Sequence, residues 1–190
     1  FSTWPDRATM QGPGFFNEGQ GFRSVIGQAS AGFDKARFFD SEGDDTYTAW
    51  VDRILMVGEG FRNEGRNFDR TMARGGSGNE KATLYDSAGN DRFSAWPTHA
   101  VMYGKGFFND TFLFSSVVGI ASQGYDRAFF FGSAGDDTYM GWWNRGLFTG
   151  SGFSNDARGF DHTVARGSAG SDRAILFDSG ANDSVRAMAW

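Results

Sequence analysis

Hydrophobic and polar residues alternate along this chain in short stretches separated by glycine-containing turns. Ala82 and Leu84 are spaced by two, as are Phe93 and Ala95, and no stretch shows a sustained helical period. Because successive side chains of a strand point to opposite faces of a sheet, this alternation predicts β-strands. Four strand-like pieces are predicted in each repeating unit, for example residues 81–85, 92–96, 100–103 and 114–118.

An acidic turn that contains glycine recurs four times at intervals of 46 residues. Its copies occupy residues 40–47, 86–93, 132–139 and 178–185. A second motif, Gly-x-Gly-Phe-x-Asn, recurs with the same spacing at residues 12–17, 58–63, 104–109 and 150–155. A fixed period of this length is typical of a repeat architecture. We therefore interpret residues 1–190 as a single repeat-array domain.

The array divides into four units of 46 residues and the start of a fifth. The units are residues 1–46, 47–92, 93–138 and 139–184. Phe1 falls at the same repeat phase as Tyr47, so we expect the chain to be a segment of a longer array whose targeting sequences lie elsewhere. A period of 92 is also visible, because residues 1–5 match residues 93–97, and residues 71–75 match residues 163–167. Units one and three therefore resemble each other, as do units two and four.

Two all-β folds are compatible with this pattern. A weak match between the two halves of each unit indicates coils of about 23 residues, which would stack into a β-solenoid of the parallel β-helix or β-roll type. A four-bladed β-propeller is the alternative, because propeller blades are built from repeats of similar length. Short strands and the lack of a recognisable closure device favour the solenoid.

Residues that recur in every unit are expected to form the scaffold. Two columns of phenylalanine predict the core: Phe15, Phe61, Phe107 and Phe153, and Phe22, Phe68, Phe114 and Phe160. In a solenoid, identical asparagines can stack as a hydrogen-bonded ladder, and we predict one from Asn17, Asn63, Asn109 and Asn155.

Composition and charge exclude several classes of function. The chain has 28 Gly, 21 Phe and 3 Pro, and its 39% hydrophobic content argues for a folded protein. It contains no Cys, which excludes disulfides and thiolate metal sites. A net charge of −5 and the absence of any Lys/Arg run argue against nucleic acid as a partner, and no apolar run predicts membrane insertion.

The acidic turns have two chemical interpretations. In the first, Asp86 and Asp91 accept hydrogen bonds from turn amides and Gly89 supplies a positive φ, so the turn needs no ligand. In the second, stacked turns hold Ca²⁺, a hard cation that takes roughly six to eight oxygen ligands. The candidate ligands are Asp40, Asp44, Asp45, Asp86, Asn90, Asp91, Asp136, Asp137, Asp178, Asn182 and Asp183. Four more acidic residues, each followed by Lys or Arg, are predicted to form a solvated charge row: Asp34, Glu80, Asp126 and Asp172.

These turns resemble a known calcium-binding repeat. The segments Gly-Asn-Asp-Arg-Phe and Gly-Asp-Asp-Thr-Tyr are similar to the Gly-x-Gly-Asn-Asp-x-Leu core of the RTX (repeats-in-toxin) nonapeptide, whose parallel β-roll binds calcium. The whole 46-residue unit resembles DSAGND-type tandem repeats of very large secreted or cell-surface proteins of bacteria. This resemblance implies an extracellular or cell-surface location and calcium as the ion. The chain departs from RTX in its period, and Gly132 replaces the first Asp of the third turn.

Tryptophan also recurs once per unit, at Trp4, Trp50, Trp96 and Trp142. On an exposed face these indoles would bind sugar rings by stacking, whereas beneath a turn they would pack as ordinary hydrophobic side chains. Catalysis has little support, because His99 and His162 occupy different repeat phases and no nucleophile motif is recognisable. We therefore predict that the chain is not an enzyme.

The sequence as a whole predicts a non-enzymatic structural repeat segment of an extracellular bacterial surface protein or fibre, such as a stalk, an adhesin or a filament, stabilised by calcium. Self-association, end to end or laterally into a fibre, is expected because an open solenoid exposes strand edges at its ends. The alternative function is a carbohydrate-binding module that presents its tryptophan column to a polysaccharide.

Overall fold

The computed structural model describes residues 1–180 and is all-β, with no helix in this part of the chain. Residues 1–180 therefore contain no helix that is long and apolar enough to cross a membrane. The strands, in chain order, are β1 (Ser2–Thr3), β2 (Arg7–Gly12), β3 (Phe15–Gln20), β4 (Ser24–Gln28), β5 (Lys35–Phe39), β6 (Thr46–Ala49), β7 (Arg53–Gly58), β8 (Phe61–Arg66), β9 (Arg70–Arg74), β10 (Lys81–Tyr85), β11 (Arg92–Trp96), β12 (His99–Gly104), β13 (Phe107–Phe112), β14 (Ser116–Ile120), β15 (Arg127–Phe131), β16 (Thr138–Trp142), β17 (Arg145–Gly150), β18 (Phe153–Arg158), β19 (His162–Arg166) and β20 (Arg173–Leu176).

These strands form two ten-stranded sheets. Sheet A has the order β19-β15-β11-β12-β13-β9-β5-β1-β2-β3, and sheet B has the order β20-β16-β17-β18-β14-β10-β6-β7-β8-β4. Each sheet contains two antiparallel three-stranded meanders, β1–β3 and β11–β13 in sheet A and β6–β8 and β16–β18 in sheet B. The remaining strands cross singly and pair in parallel.

Parallel neighbours come from successive coils of the chain. Ala36 of β5 pairs with Thr71 of β9, and the same offset of 35 residues relates β6 to β10 and β11 to β15. The described chain is a β-solenoid of about 5 turns with coils of about 35 residues, and it is not a barrel. The predicted solenoid is confirmed, whereas the coil length of about 23 residues and the four-bladed propeller are wrong. The two halves of a unit are not equivalent coils, because only one of them contains a meander.

The way the repeat fits the coil explains the period of 92. Each unit contributes one meander and two single strands, so it passes through a sheet three times. An odd number of passes places equivalent strands of consecutive units in opposite sheets, as with meanders β6–β8 and β11–β13. Only every second unit returns to the same sheet, and units two apart therefore share the closest environments.

Each complete unit contains five strands and not the four predicted ones. Residues 81–85 and 92–96 are strands β10 and β11 as predicted, and residues 100–103 lie within β12. The strand β13 was missed, and the piece predicted at residues 114–118 begins later, as β14. The reason is visible in β13, where the buried side chains include Asn109, Asp110 and Thr111 in place of alternating apolar residues.

The core lies between the two sheets and is rich in aromatic side chains. The predicted phenylalanine columns are buried in units two to four: Phe61, Phe68, Phe107, Phe114, Phe153 and Phe160. Between the two sheets, the ring of Phe93 contacts Phe130 edge to face at a centroid distance of 6.1 Å. It also packs against Phe160 at a centroid distance of 5.9 Å. In the first unit Phe15 and Phe22 remain exposed, because they lie at the end of the solenoid on or beside the edge strands β3 and β4.

The predicted asparagine ladder is wrong. Asn63 donates a hydrogen bond from Nδ2 to the backbone carbonyl of Trp4 at 2.8 Å, and Asn109 donates in the same way to Trp50 at 3.0 Å. Asn155 and Trp96 repeat this bond at 3.0 Å. Consecutive asparagines lie in opposite sheets and cannot stack, so each one instead ties a meander to the turn that follows an earlier strand.

Leu113 is a strained position that the repeat itself identifies. Its φ is 61°, in the left-handed region, where the equivalent positions of units one and four hold Gly21 and Gly159. We expect Leu113→Gly to raise the free energy of unfolding by on the order of 0.5–1 kcal/mol, because glycine adopts a positive φ without strain and the leucine side chain is 42% exposed. Urea denaturation measures this change. Leu113→Ala is the control, since it removes the side chain and keeps the strain; equal stability of the two variants would contradict the explanation.

Candidate metal centre

Each of the first three acidic turns forms a corner where the chain passes from one sheet to the other. Asp40 directly follows β5 of sheet A, and Asp45 directly precedes β6 of sheet B. Glu80 directly precedes β10, which pairs with β6 at an offset of 35 residues. Side chains from two successive coils therefore meet at one corner, which we call the first corner and define by Asp40, Asp45 and Glu80.

At the first corner three carboxylates lie close together. One oxygen from each lies within 4.8 Å of the others. Asp45 and Glu80 are 0% and 1% exposed, and Asp40 is half-buried. Three carboxylates in such a small buried volume repel one another unless protons or a cation neutralise them.

Hydrogen bonds satisfy only one side of this cluster. Asp45 Oδ2 accepts bonds from the N–H and hydroxyl of Ser41 at 2.9 and 2.8 Å, and Glu80 Oε2 accepts the N–H of Asp45 at 3.2 Å. Three further oxygens, Asp40 Oδ2, Asp45 Oδ1 and Glu80 Oε1, are buried and have no hydrogen-bond partner within residues 1–180. Buried carboxylate oxygens without a partner are costly, so the corner has the donor set of a cation site.

The pKa values reflect this crowding. Burial, followed by the negative charges of Asp40 and Asp45, raises the pKa of Glu80 to about 7. Burial also raises the pKa of Asp40 above its ordinary value. Ionisation of Glu80 beside the other carboxylates is therefore unfavourable near neutral pH unless a cation binds.

A buried carboxylate elsewhere in the chain, that of Glu64, is neutralised by arginines. Glu64 is also buried, but it forms ion pairs with Arg53 at 3.1 Å, Arg62 at 2.9 Å and Arg66 at 2.6 Å. Although burial opposes ionisation, these arginines lower the pKa of Glu64 to about 2. In residues 1–180 no arginine or lysine forms such an ion pair with the first corner.

The second corner consists of Asp86, Asp91 and Asp126 and is partly satisfied by the protein. Asp86 accepts the N–H and the hydroxyl of Ser122 at 2.7 and 2.8 Å, and Ser122 replaces Gly76 of the first corner. Asp91 Oδ1 alone is buried without a partner there. Burial, and then the charges of Asp86, Asp91 and Asp161, raise the pKa of Asp126 to about 6.

The third corner has lost one carboxylate. Gly132 stands where the first two corners have Asp, which leaves Asp137 and Asp172. Asp137 donates its N–H to Asp172 Oδ1 at 3.0 Å and accepts the N–H of Ser133 at 2.6 Å. Of the predicted ligands in the fourth copy, Asp178 is described, and Asn182 and Asp183 lie outside the described residues.

Three of the predicted ligands serve another purpose. Asp44, Asn90 and Asp136 are exposed and lie outside the carboxylate clusters. Each accepts a hydrogen bond from a backbone N–H of the next coil: Asn79 at 2.8 Å, Tyr125 at 2.8 Å and Ser171 at 2.7 Å. These side chains hold successive turns together.

Two members of the clusters were assigned by sequence reasoning to a solvated charge row, and for them this prediction is wrong. Glu80 and Asp126 are each 1% exposed, because they lie beneath the acidic turn of the preceding coil and accept its N–H. Asp34 is half-buried and donates its N–H to Asp69 at 2.7 Å, whereas Asp172 is exposed. The signal for the clusters is an offset of 35 residues, which a 46-residue repeat does not display.

The two sequence motifs are sterically coupled at these corners. A Cβ at Gly58 would collide with Asp45 Oδ1, and a Cβ at Gly104 would collide in the same way with Asp91 Oδ1. The first glycine of Gly-x-Gly-Phe-x-Asn therefore makes room for the buried Asp of the acidic turn.

The predicted tryptophan platforms are already occupied. Trp4 stacks on Phe39 of β5 at a centroid distance of 5.0 Å, and the guanidinium of Arg7 on β2 lies 5.5 Å from its ring. Because β1 lies between β5 and β2, these two partners flank the indole from opposite sides. The same arrangement recurs at Trp50, Trp96 and Trp142, with His99 in place of arginine at Trp96. A sugar ring would have to displace one of these groups.

Comparisons with known proteins give no relative from which a site could be transferred. No family model matches the chain, and searches of the curated proteins and of the solved structures returned no match.

Protonation of Glu80 predicts how stability depends on pH when a chelator is present. The raised pKa means that the folded state holds a proton that the unfolded state releases above its ordinary value of 4.5. The stability that this proton contributes is then fully present below pH 4.5 and is lost as the pH rises towards about 7. We expect Glu80→Gln to reduce this loss by on the order of 2 kcal/mol, as measured by urea denaturation at a series of pH values.

Glu59→Gln is the matched control for this experiment, because Glu59 is exposed in the turn between β7 and β8. It should keep the wild-type pH dependence. Identical pH profiles for Glu80→Gln and the wild type would contradict the raised pKa.

Proposed function

We propose that this chain is a non-enzymatic structural repeat segment, a stiff spacer of an extracellular bacterial surface protein, whose stacked coils are joined by calcium. The observation that carries the proposal is the set of three buried carboxylate oxygens at the first corner that have no hydrogen-bond partner in the described part of the chain. Two of the carboxylates belong to one coil and Glu80 belongs to the next, so a cation there would join successive coils.

Calcium fits this donor set better than other common metals. The cluster offers only oxygen atoms from carboxylates, which hard cations prefer, and neither His nor Cys takes part. The glycine of the next turn lets the backbone approach the site closely, since a Cβ at Gly78 would fall 2.6 Å from both Glu80 Oε1 and the carbonyl oxygen of Gly43. Asp40, Asp45 and Glu80 would hold the ion, which would supply the positive charge that the corner lacks.

A role outside the cell agrees with this chemistry. Extracellular modules bind calcium with dissociation constants of roughly 10⁻⁴–10⁻³ M, so folding could be coupled to secretion. The resemblance to repeats of secreted bacterial proteins points in the same direction. The covered faces of the tryptophans do not favour the alternative function, a carbohydrate-binding module.

Calcium is expected to raise the melting temperature of the chain relative to a sample with chelator. A free calcium concentration ten times the dissociation constant should stabilise the fold by about 1.4 kcal/mol, which corresponds to about 3–6 °C for a protein of this size. Glu80→Gln and Asp40→Asn should each remove most of this shift, because each neutralises one ligand of the first corner. Scanning calorimetry with and without calcium measures it.

The third corner provides the control. Asp137→Asn changes an equivalent aspartate where Gly132 has already removed a ligand, and this variant should keep the full calcium shift. Magnesium should have a smaller effect, because it requires near-octahedral geometry and dehydrates reluctantly. An unchanged melting temperature of the wild type with and without calcium would refute the calcium site.

A further inference from the structure

The first and last coils of residues 1–180 have unpaired sheet edges. At one end β3 is the edge of sheet A and β4 is the edge of sheet B; at the other end the edges are β19 and β20. Within residues 1–180 no strand pairs with the outer edge of any of these four. Unpaired edges are templates for pairing with another chain.

The pairing inside the chain defines which strand each edge lacks. The last strand of every internal meander pairs in parallel with a single strand: β8 with β4, β13 with β9 and β18 with β14. The series β4, β9, β14 continues with β19, so the strand that β3 lacks is of the β19 type. Single strands of successive coils also pair, as in β5 with β9, β10 with β14 and β15 with β19. By the same rule β4 lacks a strand of the β20 type.

Both missing strands are available at the opposite end of the same chain, and each lies in the matching sheet. β19 and β3 both belong to sheet A, and β20 and β4 both belong to sheet B. This match follows from the even number of units, because only every second unit returns to the same sheet. We infer that β19 and β20 of a second copy of this chain pair with β3 and β4 and thereby continue both sheets from one molecule into the next.

The side chains at the β3 and β4 end have the character of a coil interface. Phe15 and Phe22 are 48% and 59% exposed, whereas their equivalents Phe61 and Phe68 are 4% and 3% exposed beneath a neighbouring coil. Ile26 on β4 is exposed as well, and Leu176 on β20 is exposed at the opposite end. Docking of a second copy would bury these apolar surfaces in the way that internal coils already do.

The internal pairs also fix the register of the contact. Asn109 of β13 pairs with Thr71 of β9, and Asp110 pairs with Met72. The equivalent pairs between molecules are Asn17 with Thr163 of the second copy and Glu18 with Val164 of the second copy. Asn17 is exposed and makes no side-chain hydrogen bond in residues 1–180, while its equivalents are bonded to tryptophan carbonyls. Its partner would be the carbonyl of Trp142 in the second copy.

The N–H of Phe16 is one of the backbone donors that point outwards at this edge. The equivalent N–H groups of Arg62, Phe108 and Ser154 donate to the carbonyls of Arg23, Asp69 and Ser115 on the neighbouring coil at 2.8, 3.0 and 2.9 Å. By equivalence the N–H of Phe16 would donate to the carbonyl of Asp161 in the second copy. Such a head-to-tail contact does not close on itself, so the product is a filament. It needs neither the cation nor a surface location.

Cysteine cross-linking tests the register directly, because the chain contains no Cys. The double variant Glu18→Cys/Val164→Cys places its two thiols at opposite ends of one molecule. In the inferred contact, each thiol lies next to the other type of thiol in the neighbouring molecule. Mild oxidation should convert this variant into a ladder of covalent oligomers, with and without calcium. The matched control Glu18→Cys/His162→Cys places the second thiol two residues out of register on the same face, and it should cross-link several-fold more slowly. Equal rates, or no oligomers from the first pair, would overturn the inference.

A second variant tests the edge without cysteines. Phe16→Pro removes the outward N–H and should abolish concentration-dependent association in sedimentation velocity, whereas Phe16→Ala keeps that donor and should still associate. The melting temperature of both variants checks that they fold. A wild-type chain that stays monomeric at all concentrations would overturn the inference even if calcium stabilises it, so the two proposals fail separately.

Discussion

A hydrogen bond between stacked corners underlies the structure. At successive corners the N–H of Asp45, Asp91 or Asp137 donates to a carboxylate of Glu80, Asp126 or Asp172 in the next coil. This bond satisfies the backbone N–H of the residue that directly precedes a strand. It also aligns adjacent coils at an offset of 35 residues. It also requires an acidic side chain beneath an acidic turn. Coil stacking and charge repulsion are therefore created by the same contact.

The three described corners resolve that repulsion in different ways. The first keeps three carboxylates with free oxygens, which is why it is the candidate calcium site. The second introduces Ser122, whose N–H and hydroxyl bond to Asp86. The third replaces one aspartate by Gly132 and removes a charge altogether. A residue about one coil away from the turn, such as Ser122, can thus decide whether a corner has the donor set for a cation.

The difference between the 46-residue repeat and the coil of about 35 residues also determines which residues become neighbours. Since a unit passes through the sheets three times, equivalent residues of neighbouring units lie in opposite sheets and not in one row. This arrangement explains why Asn63 and Asn109 do not stack and why each binds a tryptophan carbonyl instead. It also places equivalent strands in the same sheet only in every second unit, which is the basis of the inferred head-to-tail contact.

The sequence by itself determined the local features of this protein: its strands, its glycine turns, its repeat and the phenylalanines of its core. These follow from alternation, from φ at glycine and from side-chain volume, which act within a few residues. Tertiary structure alone decided which coil lies beneath which, and therefore that Glu80 and Asp126 are buried beside the turns while Asp44 and Asn90 bond to backbone amides. The meander inside each unit sets that offset, and its middle strand pairs through buried polar residues that carry no alternating pattern. The acidic turn was recognisable from its own residues, but the third carboxylate of its cluster comes from the next coil.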